Sequence, residues 1–443
     1  LRGFAKAKKI PTFGVHHALQ WCSVPHDVKE KYRRFRLALY AAYLLGSHTI
    51  NTEEGLWHME EFYSHFHRFD ECLKVFTEQQ QDFYQYTLTH SRKGSLHTPI
   101  GLIHGRYDGH HGFGEQVWGM FPYTEADCSW DLLKIYYPQN EIRGHLHSHF
   151  GKRDASLGWH SGTPYGQVDV LPIEYSRDSY KDYRLLAFAG YNCAEDSDMD
   201  ALEAYVKNGG ILLLTCAHLT ATTHYDELAA GRLSYEKSFL GLTDGAPRFQ
   251  ESQVNDISVS VCVNNTPCTV LKKTDDGLPL LCCYSLGKGK IYLYNVSAYP
   301  AHPAICDGYA ETLKELTEST VASESVWAEC GEDVEFAVYD CGTEKQVYFL
   351  ATDWYHESDE PRDATLRLGE ETYPLSVPFD VMLKVVTDGK RAVWCEDESG
   401  EVLSVQDRIV VQGTQETVFC IAEGGKVRRV VVSFGSTPIE IIE

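Results

Sequence analysis

Two carboxylates stand side by side in "HTINTEEGLW" (48–57), where Glu53 and Glu54 close a short β-branched run (Thr49, Ile50, Thr52) just before Gly55. Adjacent like charges raise each other's pKa unless something compensates, so the pair is either a solvated turn or a site of chemistry. Other chemistry-bearing residues gather in comparable places. His16, His17 and Trp21 end the stretch 12–21, Trp57 follows the carboxylates, and His104, Arg106, Tyr107 and Asp108 end the stretch 98–109. Aromatic faces stack on sugar rings while His, Arg and Asp hydrogen-bond hydroxyl groups, so the mixture suits a carbohydrate pocket. Each residue also has a plainer reading, because a histidine in a strand is more often part of the core or a loop.

Two further motifs carry less. "HLHSHF" puts His145, His147 and His149 on one face of an extended segment, a metal-like pattern. The tract falls in an expected interdomain loop, and no metal is assigned to it. Cys216 in "ILLLTCAHL" follows an apolar strand where a nucleophile would stand, yet "TCAHL" lacks the small residues that a strained nucleophile elbow needs. A structural or oligomerising role is expected for this thiol, and no cofactor is expected for the chain.

The elements that must position these residues alternate from the start. "TFGVHHALQW" (12–21) has strand character, and "DVKEKYRRFRLALYAAYLLG" (27–46) carries Phe35, Leu39, Ala42 and Tyr43 at helical spacing, with Asp27 as its cap and Gly46 as its stop. "HTIN" (48–51) is a second strand, 57–90 a long amphipathic helix, "TPIGLIHGRYDG" (98–109) a third strand and "CSWDLLKIYYP" (128–138) a third helix. Alternation of this kind implies parallel strands in an α/β fold. Beyond about 163 come short apolar strands, the helix "SDMDALEAYVKNGG" and the continuous apolar strand 211–219, which together suggest a small doubly wound domain ending near 319. From about 325 only close-spaced strands with Asp, Gly and Glu turns remain, the pattern of an all-β sandwich.

Composition narrows the function. The 443 residues are too many for one core. A net charge of −23 argues against nucleic acid or an anionic membrane as partner, and no apolar run reaches the roughly 20 residues of a membrane span. The 14 cysteines contain no CxxC pair and read as reduced thiols, so a cytoplasmic location is expected. "LRGFAKAKK" at the start has neither an initiator Met nor the apolar core of a signal peptide, and a preceding segment is expected.

"TEEG" resembles the Thr-Glu-x-Gly signature that ends the seventh strand in many retaining glycoside hydrolases with (β/α)8 barrels, in which that Glu is the nucleophile. The matching position is Glu53. With "ALEAYVKNGGILLLT" (201–215) and "GKGKIYLYN" (287–295), the order of units resembles the β-galactosidases of glycoside hydrolase family 42 and their relatives. That resemblance implies the last three βα units of a TIM barrel over 1–150, with 12–21, 48–53 and 99–108 as strands six, seven and eight. It implies a class I glutamine amidotransferase-like, flavodoxin-like α/β domain over 160–322 and a C-terminal β-sandwich over 325–443. It further implies a β-linked oligosaccharide, polysaccharide or glycoside as substrate, a homo-oligomer (a trimer), and an acid/base carboxyl on strand four, supplied by a missing N-terminal barrel segment or a companion chain. Two alternatives stay open: an inverting glycoside phosphorylase of similar architecture, and a non-catalytic carbohydrate-binding or assembly subunit.

Overall fold

The computed structural model describes residues 1–18, 29–53, 69–106, 108, 124–139, 160–192, 195–219, 240–353, 359–435 and 439–441. A short helix α1 (Arg2–Ala7) precedes β1 (Gly14–Ala18), helix α2 (Lys29–Leu44) and β2 (Thr49–Glu53). β1 and β2 pair in parallel, from Gly14 opposite Thr49 to Ala18 opposite Glu53. Helix α3 (Phe69–Thr89) follows. Its Phe76 joins Phe35 and Leu39 of α2 in one cluster, against which Ile50 of β2 packs. A second face of α2, with Leu37, Tyr40, Ala41 and Leu44 at helical spacing, is buried against Tyr348 and Leu350 of a C-terminal sheet. The helix is therefore held from two sides.

Gly46 ends α2 as its sequence predicts. It takes φ +97°, its N–H bonds to Tyr43 O, and the Ser47 N–H reaches back to Ala42 O, the paired bonds of a left-handed helix stop.

Strand β3 (Ser95–His97) leaves this unit and β4 (Ile100–His104) begins another. With β5 (Asp169–Pro172), β6 (Leu185–Phe188) and β7 (Ile211–Thr215), then the hairpin β8 (Phe249–Val254) and β9 (Ile257–Cys262), and finally β10 (Thr269–Lys273), β11 (Pro279–Leu286) and β12 (Gly289–Tyr294), the chain builds a seven-stranded sheet of order β10-β11-β12-β7-β6-β4-β5 and a separate β8–β9 pair. β12, β7, β6, β4 and β5 run parallel, and β11 and β10 extend the sheet antiparallel. Read in chain order, the parallel strands lie 2-1-3-4-5, a doubly wound arrangement.

Both faces of this sheet are covered. Leu186, Phe188, Leu212 and Leu214 pack with Met199, Leu202 and Val206 of helix α5 (Asp196–Lys207). Leu102, Leu185, Ala187 and Leu213 pack with Trp130 and with Tyr309 and Leu313 of helix α6 (Cys306–Ala322). Between β4 and β5, the expected helix over 128–138 forms one turn of α-helix, α4 (Glu125–Cys128), and then a 3-10 segment, Ser129–Ile135.

One expectation is corrected here. The strand at 99–108, assigned by sequence to the sheet of 12–21 and 48–53, pairs with β5 and β6 instead and stands inside the seven-stranded sheet. The α/β unit thus takes its first strand at Ile100 rather than after 160. Both sheets are fed by strands that alternate with helices, so periodicity alone cannot say which one a fully buried strand joins.

The C-terminal strands form a second seven-stranded sheet, antiparallel, with β3 on its edge beside Val334–Asp340. Three-stranded sheets add to it, one of Val326–Cys330, Arg362–Leu368 and Glu371–Val377, the other of Gly400–Ser404, Ile409–Gly413 and Ile439–Ile441. Period-two burial puts Val385 and Trp394 toward the first and Val386 and Val393 toward the second. At the other end of the chain, α1 docks on β5, where Arg2 Nε lies 2.6 Å and Lys6 Nζ 2.7 Å from the buried Asp169 carboxylate. Gly3 lets the two backbones touch, since a Cβ there would fall 2.0 Å from Val170 O.

Candidate functional site

The parallel pair β1–β2 presents two phases. On one, Ile50 packs against the Phe35–Phe76 cluster, Thr52 Oγ1 receives Gln80 Nε2 from α3 at 2.6 Å, and the ring of His17 stacks 6.3 Å from Phe35. This phase faces the helices. On the other, His16 and Asn51 are cross-strand neighbours and exposed, with Asn51 Nδ2 2.9 Å from His16 Nδ1. The two adjacent histidines are therefore separated by the pleat, and only His16 lies away from the helices. Glu53 is the last residue of β2, opposite Ala18. Its side chain lies outside the described residues, as do Trp21, Glu54, Trp57 and Tyr107.

Asn51 is the residue that sequence reading missed. The signal was available in "INTEE", because Asn51 precedes Glu53 by two and so falls in phase with it on a strand.

The candidates at the end of β4 occupy a different place. His104 closes that strand with its ring 5.8 Å from Trp130. Arg106 Nη2 lies 3.1 Å from Asp198 Oδ2 and 3.4 Å from Glu195, and Arg177 Nε bonds the other Asp198 oxygen at 2.8 Å. Asp198 is fully buried and also accepts the Glu195 N–H, so Arg106 helps to anchor the first turn of α5. Asp108 is fully buried as well. Burial raises its pKa to about 8, although Trp130 Nε1 donates to Oδ2 at 2.9 Å and opposes the shift. Burial thus favours the protonated form of Asp108. A Cβ on Gly190 would fall 2.3 Å from Asp108 Oδ2, so that glycine admits the carboxyl. β4 pairs with β5 and β6, and the expected rim is thereby divided between two sheets.

Cys216 begins the buried 3-10 turn after β7. Hydrogen bonding to Cys262 and burial push its thiol well above the ordinary value, the reverse of an activated nucleophile. Nearby His218 does not serve it as a base. Its Nδ1 accepts the Thr215 N–H at 2.9 Å, Nε2 donates to Ala189 O, and burial lowers its pKa to about 3. His145, His147 and His149 lie outside the described residues, and among the described residues no group of three His, Cys, Asp or Glu side chains is placed to hold a metal. No described helix is long and apolar enough to cross a membrane.

Among the described residues, sizeable cavities lie elsewhere. One of about 770 Å³ runs between the 3-10 segment and α6, lined by Asp131, Lys134, Tyr165, Asp307 and Lys314 among others. Another of about 480 Å³ is lined by Arg2, Tyr137, Asp169 and Glu335 and touches β1 at Val15, away from its C-terminal end. Neither is lined by His16, Asn51 or Glu53.

No family model and no curated protein matches the chain. Solved structures that it is similar to include a cold-adapted β-galactosidase from Rahnella sp. R3 (11% identity, TM-score 0.48, covering 80% of this chain and 51% of that one). A β-galactosidase from Bacillus circulans sp. alkalophilus is similar at 15% identity and TM-score 0.44, covering 79% and 51%. An α-L-fucosidase isoenzyme 2 from Paenibacillus thiaminolyticus is similar at 10% identity and TM-score 0.38, covering 92% and 56%. The chain spans about half the length of these structures.

Proposed function

We propose that this chain is the C-terminal part of a retaining glycoside hydrolase that cleaves a β-linked, β-galactoside-like sugar, with β1 and β2 as strands of a (β/α)8 barrel and Glu53 as nucleophile. The observation that supports it is the parallel pair itself: β1 and β2 are joined through α2, helices pack on one phase of the pair among the described residues, and β2 ends at Glu53 of "TEEG". Carboxylates at the C-terminal ends of barrel strands are where the catalytic residues of such folds stand. Two-step retention also needs an acid/base carboxyl about 5–5.5 Å from the nucleophile, here on another segment or chain. In this reading the doubly wound unit is the glutamine amidotransferase-like scaffold through which a homo-oligomer assembles, and the C-terminal strands form the sandwich.

One observation favours a second reading, a non-catalytic carbohydrate-binding or assembly subunit. With β4 in the other sheet, the strand count that numbered β2 as the seventh is one short among the described residues. The phosphorylase alternative needs a basic phosphate pocket, and Arg106, a basic residue near the expected rim, already faces Asp198 and Glu195.

Incubation of the complete enzyme with a 2-fluoro-glycoside, followed by digestion and mass spectrometry, tests the proposal. A covalent sugar on Glu53 is the expected result. Glu53→Gln should lower kcat by several orders of magnitude, since the nucleophile and its charge are lost together, while Glu54→Gln should change it far less. Inversion without an adduct would end the retaining reading, and an absence of any turnover would favour the binding subunit.

A further inference from the structure

Four cysteines of the doubly wound unit, Cys216, Cys262, Cys268 and Cys282, meet in or against one core cluster of its sheet. All four are free thiols. They form two touching pairs, Cys216 with Cys262 and Cys268 with Cys282, each joined by a side-chain hydrogen bond. Polar side chains link the pairs. The Tyr284 hydroxyl bonds both Cys268 and Cys282. Asn265 Nδ2 donates to Tyr284 Oη at 3.0 Å and to Asn295 Oδ1 at 2.8 Å, and Cys216 Sγ lies 3.8 Å from that same Asn295 oxygen.

The pairs differ in what reaches them. Cys216 and Cys262 are both fully buried, whereas Cys268 is half-buried and covers the fully buried Cys282. They differ also in freedom to move. Cys268 directly precedes β10, an edge strand that pairs with β11 alone among the described residues and breaks register twice along it. Thr269 stands opposite Cys283 and Val270 opposite Cys282, so Cys268 lies diagonally across from Cys282, and both sulfurs pack on the core. A disulfide needs Cβ atoms about 3.5–4.5 Å apart, slightly closer than the strand spacing of about 4.8 Å. An edge strand held on one side supplies that approach most easily.

We propose that Cys268 and Cys282 form an oxidation-sensitive dithiol site whose co-reactant is a hydroperoxide. Cys268 attacks one peroxide oxygen and the O–O bond breaks. Cys268 becomes a sulfenic acid, and the other oxygen leaves as water with the proton that the thiol gave up. The Cys282 sulfur then attacks the Cys268 sulfur, the S–O bond breaks, and a second water carries off the Cys282 proton. The two thiols lose two electrons and the peroxide gains them. Burial raises the Cys282 pKa, which keeps the inner thiol protonated and leaves the outer sulfur to meet the oxidant. The disulfide ties the open edge strand to its neighbour.

The test treats the complete protein with one equivalent of hydrogen peroxide, alkylates the remaining thiols under denaturation and maps unreduced peptides by mass spectrometry. A cross-linked Cys268–Cys282 peptide is expected, with two fewer alkylated thiols per chain and recovery of both by dithiothreitol. Cys268→Ser should abolish the cross-link. With dimedone present during oxidation, the sulfenic acid should be trapped on Cys268 in the wild type and more fully in Cys282→Ala, so the proposal stays testable if that buried variant fails to fold. The rival is Cys262, whose pKa the hydrogen bond from Cys216 lowers to about 6. A cross-link between Cys216 and Cys262 instead would show that ionisation outweighs exposure and would overturn the proposal. Alkylation of both Cys268 and Cys282 after peroxide, or dimedone on Cys282 rather than Cys268, would overturn it as well.

Discussion

Glu335 and Asp169 line the same cavity and respond to burial in opposite ways. Glu335 is 4% exposed and accepts one hydrogen bond, from Gln167 Nε2 at 3.1 Å, and burial raises its pKa to about 7. Asp169 is as deeply buried, but Arg2 and Lys6 more than offset the burial and hold its carboxyl well below the usual range. An unfolded chain ionises both near pH 4. Glu335 therefore leaves stability intact below that pH and lowers it progressively as pH rises to about 7, whereas Asp169 stabilises above its unfolded pKa and loses that contribution in acid. Glu335→Gln should raise stability at pH 8 by about 3 kcal/mol and leave it nearly unchanged at pH 4, read as urea midpoints. Neither role could be read from the sequence, because "EFAVYD" and "YGQVDV" look like ordinary alternating strands. What sets the two pKa values apart is the pair of cations Arg2 and Lys6 on the first helix, more than 160 positions away from Asp169. Glu53, by contrast, could be named as a candidate from the sequence alone, because the reading rests on local residue types and an expected strand end, and β2 does end at that residue.

At the level of elements, local signals survived well where they were self-contained. The stop at Gly46 is one, and it predicts a cost. A residue with a Cβ in that left-handed conformation is strained by about 1–2 kcal/mol, and the added atom would also meet Tyr339 Oη at 3.3 Å. Gly46→Ala should lower the denaturation midpoint accordingly, and Gly46→Asn by less, because asparagine tolerates this conformation better. The helix expected near 197–210 appears as Asp196–Lys207, opened by Glu195 and Asp198 bonding each other's backbone. Expectations that needed a partner fared worse. Three residues, Ser95–His97, gave no sequence signal as a strand, and β4 could be placed in a sheet only by what lies beside it. The stretch 128–138 reads as an α-helix, yet Ser129–Ile135 winds as a 3-10 helix.

On the scale of the whole molecule, the units share parts. α1 is pinned to β5, α2 is buried on one side by strands of the C-terminal sheet, and β3 completes that sheet from the other end of the chain. A cut at 150 would separate β4 from both strands that flank it and α2 from the strand residues Tyr348 and Leu350 that bury one of its faces. Residues 1–150 expressed alone should therefore fail to fold, with poorly dispersed amide NMR spectra. Residues 160–443 should also be unstable, and co-expression should recover more soluble protein than either piece. A well-dispersed spectrum from 1–150 alone would show that the shared strands are dispensable.

Order of synthesis gives the edge position of β3 a further consequence. His97 pairs with Val338, so about 240 residues must leave the ribosome before the earlier strand meets its neighbour. At 5–20 residues per second that is a wait of roughly 10–50 s. Throughout it, the apolar side of α2 has Tyr86 of α3 beside it but lacks the strand residues Tyr348 and Leu350 that complete its burial. Slowing elongation in the last third of the message should therefore lengthen that partial exposure and lower the soluble yield.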